Sequence, residues 1–410
     1  MTYLQRHNVA PAFRRGAVRP QPKPGQSQAH GGVSPLHPVS HRNTSYQPLP
    51  RPLGVAPYHY DLAQAFPDIN KAIADAGKMT FHVVGDSGGV VDGEYQTNVA
   101  EQMIQHLDAA QGEKPRFCYH VGDVVYFTGA HDDYYAQFYE PYAHYDAPIF
   151  AIPGNHDGEV DDPSQGPSLA GFVAYFLQPE PDVDPISKDA PRVGLDLPNV
   201  YWTLTTPFAT IVGMYTNVPE GGSIDSVQQQ WLTHEFAAAP EDRALILALH
   251  HPIYSFDTHH SGSSKMADAL ENAIRDTGRV PNLVMSGHVH NYQRIEQKIA
   301  GDKPTPFLVT GNGGYHNLHQ ITAQSAAAPD GGHAHKHNRQ PATFAPARDT
   351  GAQLIYGNDK AWGFVTLTID KDKIVGESLE VARDGSVHAG DTFEYSAAVV
   401  KMAGAAVPTL

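Results

Sequence analysis

The chain has 410 residues, of which 41% are hydrophobic, and a formal net charge of −16 at pH 7. That length allows a large core and, taken alone, two or three domains. So negative a balance excludes a general nucleic-acid binder, but not a small phosphorylated substrate, because bound metals can reverse the local sign. Cys118 is the only cysteine, so no intrachain disulfide forms. It lies inside the apolar run Phe117-Cys118-Tyr119, where a buried, inert thiol is expected. No stretch is long and apolar enough to span a membrane, and no apolar h-region follows the first residues. A cytoplasmic location is the default expectation, with a secreted or periplasmic one open if the chain is a mature form.

Residues 1–57 form a compositional zone of their own. They carry Arg6, Arg14, Arg15, Arg19, Lys23, Arg42 and Arg51, with recurrent proline and no Asp or Glu. The expectation is a Pro-rich basic N-terminal extension that is flexible or wraps the surface. A basic arm docked on the acidic body or on a polyanion is the alternative.

The body, residues 58–400, alternates strand and helix patterns. Strands are predicted at Thr80–Val84, Phe117–Val121 and Ile149–Ile152, with a helix between the first two carrying Val99, Met103 and Leu107 on one face. Val200–Leu204 and Ala209–Met214 read as paired strands of a second sheet. A helix with Val227, Trp231 and Glu235 on one face leads to the strand Ala244–Leu249. Met266–Ile274 reads as a helix, and Asn282–Met285 and Phe307–Thr310 as strands. Gly363–Ile369 and Lys373–Val381 read as a hairpin around Asp370-Lys371-Asp372. Two insertions interrupt the pattern, at about 158–198 and 315–352. The first is acidic and Pro-rich, with a helix-like patch at Leu169–Leu177, and follows a chemically loaded block, so it is expected to overhang the site. The second holds His316, His319, His333, His335 and His337 and reads as a low-complexity loop, with an accessory metal tract as the alternative. The expected fold is α/β, a four-layer α-β-β-α sandwich of two mixed sheets flanked by helices.

Five short blocks, each after a predicted strand, carry the chemistry. They are Gly85-Asp86, Gly122-Asp123-Val124-Val125-Tyr126, Gly154-Asn155-His156-Asp157, Leu249-His250-His251 and Gly287-His288-Val289-His290. Strand ends are where an α/β sheet offers side chains to a shared crevice. Hard oxygen donors mixed with imidazoles suit a pair of divalent or trivalent metals. Such a pair lowers the pKa of a bound water to about 7 and clamps the oxygens of a phosphoryl group. Asp123, in a tight turn after glycine, is the best candidate for a bridging carboxylate.

In this order the blocks resemble the calcineurin-like metallophosphoesterase superfamily and, within it, the purple acid phosphatases. The likeness spans roughly residues 78–382 and extends to Gly287–Arg294, Gly311–Gly314 and Trp362–Phe364. The superfamily usually carries Asp-x-His in the first block, whereas here Gly88 takes the third position. Loss of that imidazole is matched by Tyr126, a phenolate ligand in the purple acid phosphatase pattern. A free tyrosine titrates near ~10, so only a strongly Lewis-acidic metal such as Fe(III) would hold it ionised at neutral pH.

The resemblance implies a first metal on Asp86, Asp123, Tyr126 and His290. A second metal, Fe(II), Zn or Mn, would take Asp123, Asn155, His250 and His288, with Asn155 as a neutral and therefore weaker ligand. It implies a dinuclear phosphoester hydrolase that uses a metal-bound hydroxide, most simply a phosphomonoesterase acting on a small phosphorylated substrate. No stable nucleic-acid or membrane partner is expected. His156 is the candidate for stabilising the phosphoryl oxygens or protonating the leaving group, and His259 and His260 for contacting substrate. His251 could orient His250, and Asp157 is either a hydrogen-bond acceptor behind the site or a simple turn residue. A phosphodiesterase or nucleotide-cleaving hydrolase on the same core, and a non-catalytic metal-binding regulatory protein, are the competing readings.

Overall fold

A computed structural model describes residues 48–109, 114–159, 167–216, 222–321 and 351–402. In chain order its strands are β1 (His59–Asp61), β2 (Met79–Val84), β3 (Cys118–His120), β4 (Ile149–Ala151), β5 (Trp202–Thr205), β6 (Ala209–Gly213), β7 (Ala244–Ala248) and β8 (Arg279–Val280). They continue with β9 (Leu283–Ser286), β10 (Tyr292–Ala300), β11 (Lys303–Thr310), β12 (Gln353–Asn358), β13 (Trp362–Ile369), β14 (Lys373–Val381), β15 (Val387–Ser396) and β16 (Val400–Lys401). One sheet runs β15-β14-β13-β2-β3-β4 and the other β1-β5-β6-β7-β9-β11-β10-β12. β2, β3 and β4 are parallel to one another, as are β6, β7, β9 and β11. Every residue of β2, β3, β4, β7 and β9 is buried, as expected of parallel strands covered on both faces.

The helices form the outer layers. Pro67–Ala76 starts on a proline, stops at Gly77 in the left-handed region, and packs on β2. Glu94–Ala109 packs on β13 and β14. Ser226–Ala238 and Ser264–Thr277 pack on each other beside the second sheet. Between the sheets, Trp202 of β5 lies 5.9 Å from the Tyr119 ring and 6.0 Å from the Phe150 ring, and its indole N–H donates to the Ala151 carbonyl. This is the four-layer α-β-β-α sandwich that the sequence leads one to expect.

Two features depart from the sequence reading, and a third lies beyond it. β1, β8, β10, β12, β15 and β16, and the helix Pro67–Ala76, were not foreseen. On Ser226–Ala238, Trp231 and Glu235 of the expected face are buried, but Val227 is 61% exposed. Gln228 turns inward beside Glu235. Gln228 exchanges two hydrogen bonds with the Tyr215 backbone, and Glu235 accepts from Thr203 Oγ1 at 2.6 Å. Lastly, residues 167–198 pack as a layer on the segment 131–147. Tyr175 and Phe176 meet the Phe138 ring at 4.7 and 5.7 Å, and Arg192 donates to the Ala147, Tyr142 and Tyr145 carbonyls.

Cys118 is buried, as its apolar neighbours suggest. Among the described residues, no helix is long and apolar enough to cross a membrane. His333, His335, His337 and the six basic residues from Arg6 to Arg42 lie outside the described residues. From Leu53 onward the extension is anchored: Leu53 and Gly54 donate backbone N–H groups to the Pro198 carbonyl.

Candidate metal centre

The five blocks converge because the parallel strands of both sheets end at one crevice. β2, β3 and β4 deliver Asp86, Asp123 and Asn155, while β7 and β9 deliver His250, His288 and His290. Hydrogen bonding continues past the strands and ties the turns together. Asp86 N–H donates to the Gly122 carbonyl at 3.0 Å, and Gly287 N–H to the His250 carbonyl at 3.0 Å. Asp86 and Asp123 both sit at φ +54, and His288 at φ +66. Non-glycine residues in this region are uncommon and cluster at functional sites. Gly122, at φ +101, supplies the turn that a larger residue would resist. Gly154 is required for a different reason, since a Cβ there would run into Asp123 Oδ1.

Two sets of donors result. Tyr126 Oη lies 3.1 Å from Asp86 Oδ1 and 3.3 Å from His290 Nε2, and His290 Nε2 lies 3.5 Å from Asp86 Oδ1. Asn155 Oδ1 lies 3.0 Å from His250 Nε2 and 2.9 Å from His288 Nδ1. Asp123 stands between them: Oδ2 is 3.4 Å from His250 Nε2, and Tyr126 Oη faces the same carboxylate. Neighbouring ligands about 2.0–2.2 Å from one ion sit roughly 3 Å apart, which is the spacing within each set.

The electrostatics also fit cations. Asp86 and Asp123 are 0% and 1% exposed, and Asp123 Oδ2 makes no hydrogen bond of ordinary geometry. Two buried carboxylates this close need positive charge. Burial works against a charged His250, but the Asp123 carboxylate and then Asp86 lift its pKa to about 9. A bound cation would take the place of that proton. Burial, reinforced by His251 and His260, holds His288 well below the ordinary histidine range and keeps it neutral, as a ligand must be. Burial, then the charges of Asp123 and Asp86, push the Tyr126 phenol well up.

The surrounding hydrogen bonds aim these donors. His250 Nδ1–H donates to the Val121 carbonyl at 2.9 Å and His290 Nδ1–H to the Asn317 carbonyl at 3.2 Å, which leaves both Nε2 atoms for the centre. His250 is thus oriented by a backbone carbonyl rather than by His251, which instead bonds Thr216 Oγ1 through Nδ1 at 2.7 Å. Asp157 accepts from the Val124, Val125 and Gly154 N–H groups, so it clamps the Asp123 turn from behind. His156 donates its backbone N–H to Asp123 Oδ1 at 2.8 Å, and its Nδ1–H to the Phe127 carbonyl at 2.8 Å. Its ring lies 4.5 Å from that of Tyr126. Of the remaining pair, His260 approaches the donors, with its ring 4.5 Å from the His288 ring. His259 stacks on His319 at 4.0 Å.

Sequence reasoning missed His120 and Tyr315, and placed His319 only in a His-rich tract. His120 Nε2–H donates to Ser87 Oγ at 2.8 Å, and Nδ1 accepts from Gly122 N–H, joining the first two turns. Burial, against the opposing Asp123 charge, lowers its pKa to about 3. Its place at the end of a buried strand was the only available signal. Tyr315 packs 4.4 Å from the Tyr126 ring and 4.3 Å from the His290 ring.

Buried carboxylates, imidazoles and a phenol converging where two sheets meet, with Asp123 shared between two donor sets, are the equipment of a metal-dependent phosphoesterase. The profile of the calcineurin-like phosphoesterase family matches residues 79–292, more than half of the chain, which therefore belongs to that family. It is 26% identical over 240 residues to tartrate-resistant acid phosphatase type 5 of Rattus norvegicus, covering 55% of this chain and 70% of that protein. It is 25% identical over 250 residues to purple acid phosphatase 22 of Arabidopsis thaliana, covering 58% of this chain and 50% of that protein. The structure of a purple acid phosphatase from yellow lupin (Lupinus luteus) seeds superposes with a TM-score of 0.53 at 18% identity, covering 78% of this chain and 54% of the other. The chain thus spans about half the length of the two plant proteins. These likenesses support a purple acid phosphatase-like branch within the family, and with the lupin enzyme the chain shares its fold.

Proposed function

We propose that the chain is a purple acid phosphatase-like phosphomonoesterase, with Fe(III) beside Tyr126 and Fe(II), Zn or Mn in the second position. The observation that carries this reading is the fit between Gly88 and Tyr126. A Cβ at position 88 would lie 2.7 Å from Tyr126 Cδ2, so the phenol ring fills the space that a side chain at position 88 would need. Its hydroxyl then joins Asp86 and His290.

Asp86, Asp123, Tyr126 and His290 would hold the first ion, and Asp123, Asn155, His250 and His288 the second. The ions supply a nucleophilic water at neutral pH and a cationic clamp on the phosphoryl oxygens. The rest falls to side chains. His156, fixed through Nδ1 by the Phe127 carbonyl, keeps Nε2 for a phosphoryl or leaving-group oxygen, and the His260 ring stands 4.5 Å from that of His288. Tyr126, whose pKa is raised by burial and by two carboxylates, gives up its proton only to a strong Lewis acid. The substrate is a small phosphomonoester.

The test compares 4-nitrophenyl phosphate with bis(4-nitrophenyl) phosphate on metal-loaded protein. Preferential hydrolysis of the monoester is expected. Hydrolysis of the diester alone would make the chain a phosphodiesterase or nucleotide-cleaving enzyme. Hydrolysis of neither would leave a metal-binding regulatory protein.

A further inference from the structure

A second buried cluster of ionisable side chains borders the centre. Asp257 lies on the loop after β7, and its side chain is 0% exposed. Its Oδ2 accepts the backbone N–H groups of His259 at 2.8 Å and His260 at 2.7 Å, and lies 3.2 Å from His319 Nδ1. Its Oδ1 accepts from Asn291 Nδ2 at 3.0 Å, and the same amide donates to the His319 carbonyl at 3.1 Å. His319 N–H donates to the carbonyl of His290, and Thr258 N–H to that of Gln320. One carboxylate therefore knits three segments together: the 257–260 loop, residues 317–321, and the strand end that carries His288 and His290.

The donor atoms of Asp257, His259 and His319 are close enough together to suggest a cation, but the rings are not placed for one. His259 and His319 stack with centroids 4.0 Å apart and planes only 15° from parallel. An imidazole binds a metal in its own plane at about 2.0–2.1 Å, and two parallel planes offer no such common point. Two backbone N–H groups already occupy Oδ2 as well.

We propose instead that Asp257 and His319 form a positioning unit that holds His260 over the metal crevice and so sets the affinity for a phosphoryl group. This rests on the phosphoester reading above. Two features support it. The His260 ring lies 4.5 Å from the His288 ring and 6.3 Å from the His290 ring. Its backbone is tied by a carboxylate, and hydrogen bonds to charged acceptors are the strong ones. His259, stacked on His319, closes the cluster from behind.

The experiment uses the metal-loaded full chain and reads four quantities: the Kd for inorganic phosphate, KM and kcat for 4-nitrophenyl phosphate, and metal content. Asp257→Ala is expected to raise both Kd and KM about tenfold, the worth of one charge-assisted hydrogen bond, with metal content unchanged and kcat altered far less. Asp257→Asn, whose amide oxygen can still accept the two N–H groups, should recover part of the loss. His260→Ala should match Asp257→Ala, and the double variant should be no worse than either, since residues acting through one another are non-additive. If Asp257→Ala does not fold, His319→Gln replaces it in the same cycle. Additive losses, or a phosphate Kd unchanged in the variants, would overturn the proposal. A wild type that binds phosphate but hydrolyses no ester would overturn the phosphoesterase reading instead, and the comparison of phosphate Kd values would still stand.

Discussion

At position 88 the absence of a side chain matters more than any residue could. A Cβ there would meet Gln137 Oε1 at 2.5 Å and Tyr126 Cδ2 at 2.7 Å. Gln137 is itself committed, accepting from Tyr126 N–H at 2.9 Å and donating to the Tyr126 carbonyl at 2.6 Å. Neither neighbour can give way cheaply, because the same pair of hydrogen bonds fixes the backbone that aims the phenol. Gly88→Ala is therefore expected to cost about 1–3 kcal/mol as an overpacked site and to displace the Tyr126 ring. Urea unfolding of the metal-loaded protein measures the first effect, and the visible spectrum the second. An alanine variant with wild-type stability and colour would show that Tyr126 does not depend on this space.

Elements with a strong internal pattern were legible in the sequence. β14 was read with its observed limits, and β2, β3, β4, β6, β7 and β9 to within one or two residues at each end, because buried parallel strands are short apolar runs bounded by turns. β1, β8, β10, β12, β15 and β16 were not. β15 alternates exposed polar with buried residues, and β10 follows directly from a motif that was read for chemistry alone. The inward turn of Gln228 was invisible because polar residues are buried only where partners await them, and its partner, the Tyr215 backbone, comes from elsewhere in the chain. The seven residues expected to bind metal were read from short blocks that follow predicted strands, and the structure brings them together at one crevice. Asp257, His319 and Tyr315 were not read as part of the site, because their roles exist only once the 255–260 and 315–321 segments meet.

Burial on these elements also predicts a pH dependence. His82, on β2, is fully buried between Tyr145 Oη at 2.9 Å and His106 Nδ1 at 2.9 Å, and desolvation, then His106, holds its pKa well below 6.5. The unfolded chain takes up a proton near pH 6.5 that the folded chain refuses, so stability falls as pH drops below that value, by up to about 1.4 kcal/mol per unit for this histidine. Urea midpoints at pH 7.5 and 5.5 should diverge less in His82→Gln than in the wild type. Equal slopes would show that His82 is not held neutral.

On the scale of the whole molecule, the centre is a joint. Asp86, Asp123, Tyr126 and Asn155 come from the sheet containing β2, β3 and β4, while His250, His288 and His290 come from the sheet containing β7 and β9. Neither sheet carries a full donor set, so the site exists only when both are docked, and any ion bound there also fastens them together. That arrangement explains why the interior between the sheets is packed with large aromatic side chains such as Trp202, Tyr119 and Phe150. Donors that must meet within about 3 Å across a sheet interface need a rigid one.

The most direct test is the absorption spectrum of the purified protein, taken with its elemental analysis. The account predicts two metal ions per chain, one of them iron, and a visible tyrosinate-to-iron band that Tyr126→Phe abolishes. A colourless wild type carrying stoichiometric zinc or manganese and no iron, or a band that survives Tyr126→Phe, would contradict it.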